Sequence, residues 1–244
     1  WDYELNENDF VTIAMSDNGR YIVAGSQYDG YGYGTNGEVV LFEYDDDTPL
    51  WTYEFDIDVR SVDISADGEY IAVGTDMEVD TDNEDESSLI LFDKDSSTPV
   101  WEYAVDNSGE GADTVAISGD GNYLIVGTDF RNSNNNGYLQ VLHRSSNIPL
   151  TFGGQSEYDA GIGIICSAIS SDGSHIAIGT RKHSTNGGSV HVFGNKEIHR
   201  TSTMNLYIKT SDAEDSGDDL TLTVQSRAPS GSWSTSYISG ATYE

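Results

Sequence analysis

Two stretches of this 244-residue chain concentrate side chains that can hold a ligand. Residues 27–37, QYDGYGYGTNG, interleave Tyr28, Tyr31 and Tyr33 with glycine beside Asp29. Phenol rings in such a setting can stack on sugar faces or pack against a protein partner. A Gly-Tyr loop without any ligand is the competing reading. Residues 76–87, DMEVDTDNEDES, carry seven acids, among them Asp76, Asp80, Asp82 and Glu84. Oxygen-rich loops of this kind can chelate Ca²⁺. The EF-hand spacing with its central glycine is missing, which favours a solvated acidic loop over a chelate. The segment 129–137, DFRNSNNNG, adds Asn132 and Asn134, whose amides both donate and accept hydrogen bonds.

Catalytic constellations do not stand out. His143, His175, His183, His191 and His199 form neither an HxH nor an HExxH arrangement, so strand or loop histidines are expected rather than a zinc site. Cys166 is the single cysteine, which excludes an internal disulfide. It lies in GIGIICSAIS, where a small buried hydrophobe is the expected role. There is no nucleophile elbow, no phosphate loop with its lysine and no paired catalytic acids. The GYGYG run at 30–34 opens no helix, so a dinucleotide site is excluded. The expectation is a non-catalytic protein with no cofactor beyond Ca²⁺.

Composition narrows the partners. The formal net charge is −31, from 42 acids against 11 Lys and Arg. Such a surface repels phosphate backbones and anionic membranes and suits divalent cations or partners with basic patches. No window is long and apolar enough for a membrane span. Acid-rich, lysine-poor chains fit either the cytoplasm of high-salt organisms or a cell surface. Abundant Ser, Thr, Asn, Gly and Tyr tilt the balance towards an extracellular or cell-surface setting. The opening on Trp rather than Met suggests a processed or excised segment.

The elements that must carry the loops come from an internal repeat. The phrases YIVAGSQ (21–27), YIAVGTD (70–76), YLIVGTD (123–129) and HIAIGTR (175–181) are near copies. Pro49, Pro99 and Pro149 recur at a step of 50 residues, as do Trp1, Trp51 and Trp101. Each unit of about fifty residues reads as four strands, a to d. Strand a (11–16, 61–65, 114–118, 166–170) leads through a turn at Gly19, Gly68, Gly121 or Gly173 into the quoted phrase, strand b. Strand c follows at 38–43, 88–93, 138–143 and 189–194, and strand d at 49–55, 99–105 and a degraded 149–153. The runs are short, rich in Val, Ile, Tyr and Phe, and bounded by Gly, Asp and Ser.

Four-stranded antiparallel units at even spacing predict an all-β fold, a β-propeller of about four blades, either closed by itself or part of a larger ring. The expected blades cover about 10–55, 60–105, 113–153 and 166–194 within a repeat region at 1–194. Val23, Ile71, Val73, Ile125 and Ile176 are expected between the sheets, with Gly25, Gly74, Gly127 and Gly179 permitting close approach. LFEYDDDTPLW (41–51) and LFDKDSSTPVW (91–101) resemble the tryptophan-docking repeat of pyrroloquinoline-quinone-type propellers, and SVDISADGEYIAVGT (61–75) is similar to the a–b hairpin of WD-repeat propellers. The resemblance implies the fold. A quinone-dependent dehydrogenase would also need cationic residues around a tricarboxylate cofactor, a stacked Trp and often adjacent cysteines, and the scattered 11 bases and lone Cys166 weigh against it.

WDYEL (1–5) matches strand d, so it is expected to close the fourth blade; the alternative is a fragment of a longer ring. Residues 195–244 lose the repeat and read as a degenerate blade, the start of a second β domain, or a tail. The b–c loops at 27–37, 76–87, 129–137 and 181–188 share one face and differ completely, so a site is expected there. The functional expectation is a binding or scaffolding module for a protein or glycan. The alternative is a structural subunit of a homo-oligomer, filament or surface layer.

Overall fold

The computed structural model of the chain describes residues 1–5, 8–28, 37–76, 87–105, 110–130, 137–150, 158–160, 163–181 and 188–194, with the strands 205–209, 221–226 and 234–239. Among the described residues the fold is all-β, with no helix. The first sheet is β1 (Asn8–Met15), β2 (Tyr21–Tyr28), β3 (Glu38–Glu43) and β4 (Trp51–Glu54), and the second is β5 (Val59–Ile64), β6 (Tyr70–Thr75), β7 (Ser88–Asp93) and β8 (Trp101–Ala104). The third is β9 (Glu110–Ile117), β10 (Tyr123–Phe130), β11 (Tyr138–His143) and β12 (Tyr158–Asp159). The fourth begins β13 (Ile164–Ile169), β14 (His175–Thr180) and β15 (Val190–Gly194), and continues through β16 (Asn205–Lys209), β17 (Thr221–Ser226) and β18 (Ser234–Ser239). Every sheet is an antiparallel meander in chain order.

The a–b hairpins follow from a four-residue code. Ser65, Ser118 and Ser170 donate through Oγ to Oδ1 of Asp67, Asp120 and Asp172, at 2.7, 2.6 and 2.7 Å. Each Oδ1 then accepts the amide two residues on, from Glu69, Asn122 and Ser174. Ser16 and Asn18 repeat the pattern in the first sheet. The turn glycines Gly19, Gly68, Gly121 and Gly173 sit at φ between 66° and 80°, where an L side chain is strained.

Successive sheets pack through their first strands, β5 on β1, β9 on β5 and β13 on β9. The strand-b glycine makes each seam possible. A Cβ at Gly25 would fall 2.5 Å from Val59 Cγ1, one at Gly74 2.5 Å from the Ala112 carbonyl, and one at Gly127 2.7 Å from Ile164 Cγ2. Val23, Ile71, Val73 and Ile125 are fully buried and Ile176 nearly so, as their positions in the repeat predict. Polar bonds fix the register of each seam. Thr12 Oγ1 accepts the Val62 amide at 3.2 Å, Ser61 Oγ accepts the Val115 amide at 3.1 Å, and Thr114 Oγ1 meets Ser167 Oγ at 2.8 Å. Asp63 adds a carboxylate that accepts the Ile117 amide across the second seam and that of Ile64 within its own strand, both at 2.9 Å; burial nonetheless pushes its pKa up.

Tryptophan closes the first two seams at the edge. Trp51 Nε1–H donates to the Lys94 carbonyl at 2.8 Å and Trp101 Nε1–H to that of Arg144 at 2.7 Å, in both cases 43 residues ahead. Trp51 and Tyr53 both pack on the Phe92 ring, with centroids 5.3 and 5.2 Å away.

Four expectations change. Among the described residues the outer strand of the third sheet is Tyr158–Asp159, while 151–153 of the expected strand d lie outside them. Leu150 still donates to the Val141 carbonyl, as Leu50 does to Leu41, but the Tyr–acid pair that resumes the ladder comes five residues later than in the first sheet. Residues 1–5 pair with no strand among the described residues; the edge of β15 is taken by β16. The segment after 194 contributes three strands to the fourth sheet. Cys166 is exposed instead of buried: among the described residues no further sheet packs on β13 as β13 packs on β9.

If the glycine seam holds the sheets together, Gly74→Ala lowers stability by about 1–3 kcal/mol through overpacking. Gly194→Ala, where a Cβ meets nothing within 4 Å, leaves stability within about 0.5 kcal/mol of the parent. Urea unfolding midpoints of the two variants check this.

Candidate functional site

The loops between strands b and c lie mostly outside the described residues, but their necks are described and share one device. Ser26 Oγ accepts the Glu38 amide at 2.9 Å, Thr75 Oγ1 that of Ser88 at 2.9 Å, Thr128 Oγ1 that of Tyr138 at 2.9 Å and Thr180 Oγ1 that of Ser189 at 3.1 Å. All four hydroxyl residues are buried. A buried loop neck leaves amides that need partners, and the hydroxyl supplies one where the chain re-enters strand c. The recurrent Gly-Ser/Thr ending of strand b therefore combines a seam contact with a loop latch.

One residue beyond the latch stand Gln27, Asp76, Asp129 and Arg181. Asp76 is ion-paired with Arg60 of its own sheet, and Asp129 with Arg181 of the next. Burial opposes the Arg60 charge, but the carboxylates of Asp76, Asp113 and Asp58 outweigh it and raise its pKa. The hydrogen bond and charge of Asp129 likewise raise that of Arg181. Asp113 Oδ2 accepts the Asp129 amide at 2.9 Å, so a polar string joins the third and fourth sheets, and the Asp113 charge reaches Arg60 of the second. Gly163 makes room for it, since a Cβ there would fall on Asp129 Oδ1. The string is structural: it anchors the loop bases and fixes charge of both signs beneath them.

Of the expected site residues, Tyr28 ends strand β2, paired with Asn8. Asp29, Tyr31, Tyr33, Asn132 and Asn134 lie outside the described residues, as do Asp80, Asp82 and Glu84. Asp76, the remaining acid of the Ca²⁺ reading, is buried and turned to Arg60. No group of three or more His, Cys, Asp or Glu able to hold a metal occurs among the described residues. His143 is half-buried beside Ser145, His175 is exposed beside Ser174, and burial pushes the pKa of His191 below the usual 6.5. The Arg–Asp string is absent from the sequence-based expectations. Its signal is the position after the latch, which reads Asp in VGTD twice and Arg in IGTR once.

No protein-family model matches the chain, and no curated protein matches it. Among the described residues no helix is long and apolar enough to cross a membrane, which leaves β-barrels unaddressed.

Arg181→Met strands the buried Asp129 carboxylate and is expected to cost about 1–3 kcal/mol, since the arginine itself is half exposed and screened. Adding Asp129→Asn should recover part of that loss. A thermodynamic cycle over the two single variants and the double variant measures the coupling; additive losses would contradict the pairing.

Proposed function

We propose that the chain is a non-catalytic binding or scaffolding module of propeller type, working outside the cell or at its surface, with the b–c loop face as its binding surface. The observation that carries this reading is the contrast at the loop necks. Ser26, Thr75, Thr128 and Thr180 make the same bond in all four sheets, while the loops they close share no pattern of residues. A constant frame under divergent loops fits recognition, where the scaffold supplies rigidity and the loops supply contacts. The propeller reading is supported by the sequential packing of first strands and by the tryptophan contacts that repeat from sheet to sheet. The partner is a glycan or a protein. The tyrosines at 28, 31 and 33 provide flat amphipathic contact area for either, and the net charge of −31 favours a surface with basic groups.

The test sets the parent chain beside a variant with Tyr28, Tyr31 and Tyr33 changed to Ser, on a glycan array and on a panel of cell-surface proteins. Binding by the parent, reduced at least about tenfold in a variant of unchanged thermal stability, is the expected result. Silence of the parent in both formats contradicts it.

A further inference from the structure

The repeat leaves one unmatched face at each end of the row of sheets, and the two are complementary. In the second and third sheets the first strand is covered by the preceding sheet: Val59, Val62 and Ile64, and Ala112, Val115 and Ile117, are all buried. Their counterparts in the first sheet, Phe10, Ile13 and Met15, are exposed, Ile13 to 71%. With Trp1, Tyr3, Ile22 and Phe42, the first two of these line an apolar cleft of about 310 Å³. An open face of this character marks an interaction surface.

The turn glycines report the same open face independently. Gly68, Gly121 and Gly173 lie against the rings of Tyr21, Tyr70 and Tyr123, each from the sheet before. Gly19 has the same backbone conformation and nothing within 4 Å. At the other end, His175 holds the tyrosine position of the fourth sheet and is exposed. At Gly179, which replaces Gly25, Gly74 and Gly127 there, a Cβ would meet just the sulfur of Cys166 among the described residues. Cys166 holds the position of Thr12, Ser61 and Thr114, whose hydroxyls bond the next sheet, and it too is exposed.

The edge contact is already half made. Trp1 and Tyr3 pack on Phe42 with centroids 5.3 and 5.0 Å away, and Trp1 Nε1–H donates to the Tyr44 carbonyl at 2.7 Å. Trp51 and Tyr53 treat the next sheet the same way. Residues 1–5 thus stand as the last strand of a preceding sheet.

We propose that this preceding sheet is the fourth sheet of a second copy of the chain, so that molecules join head to tail through the packing that already joins sheets within one molecule. Ile13 and Cys166 are both exposed, so among the described residues the two end faces are not packed on each other. Across the new seam Cys166 faces Ile13, His175 covers Gly19, and Phe10 and Ile13 fill the space over Gly179. Residues 1–5 of one copy take the edge of β15 in the other, replacing β16, so one set of ladder bonds is exchanged for another while Trp1 and Tyr3 become covered. Two chains of charge −31 repel each other, so association strengthens with added salt. The inference concerns the end faces and leaves the reading of the loop face untouched, so either can fail alone.

Cys166 supplies the test, because it is the only cysteine. With Ile13→Cys, mild oxidation is expected to give chains linked to one another on a non-reducing gel. Wild type, Cys166→Ser in the Ile13→Cys background, and an exposed Ser96→Cys control are expected to give none. Sedimentation of the wild type should show mass rising with concentration and salt, and Ile13→Asp should weaken association about 30-fold or more. A wild-type chain that stays monomeric throughout, or a disulfide between positions 13 and 166 of one and the same chain, overturns the proposal.

Discussion

The contact on which the architecture depends is the approach of one strand to the backbone of the strand-b glycine in the sheet before it. At Gly25, Gly74 and Gly127 there is no room for a methyl group, so the distance between sheets is set by main chain against side chain. That closeness allows a single hydroxyl on Thr12, Ser61 or Thr114 to reach the next first strand. It also brings each tyrosine of strand b onto the following turn glycine, and each closing tryptophan onto a carbonyl 43 residues ahead. A four-stranded sheet alone cannot shield both of its faces; the seam converts four such sheets into a core in which Val23, Leu41, Ile71, Leu91, Ile125 and Leu139 lose all contact with water.

The same arrangement separates two kinds of surface. Constraint is concentrated along the seams and at the turn face, where each position is dictated by the neighbouring sheet. At the necks of the b–c loops the latch hydroxyls and the Asp–Arg pairs hold the strand ends in place. Loop sequence can then diverge without disturbing the core. The cost of a repeating seam appears at the ends of the row, where Ile13 and Cys166 are exposed.

Much of this frame can be read from the sequence, for local reasons. The Ser-x-Asp-Gly turns encode their own hydrogen bonds, and the short continuous apolar runs that follow define strands b and c almost to the residue. Strand d of the third sheet was hidden because Pro149 and Leu150 keep the entry signal while the described pairing with β11 lies at Tyr158 and Asp159. The seam role of Thr12, Ser61 and Thr114 was hidden because a hydroxyl in a half-buried strand has no pattern that names its partner. The pairing of Asp129 with Arg181 spans 52 residues and two sheets, a distance at which charge alone in an acidic chain points to no particular base. The fate of residues 1–5 depends on what lies across a seam, which local pattern does not specify.

The most direct test of the seam is a nuclear Overhauser experiment on methyl-labelled protein. Gly25, Gly74 and Gly127 should each show cross-peaks from their Hα protons to methyl groups of the following sheet, namely Val59, Val115 and Ile164. Glycine Hα protons that contact only their own sheet, with those three methyl groups sensing water, would contradict the account.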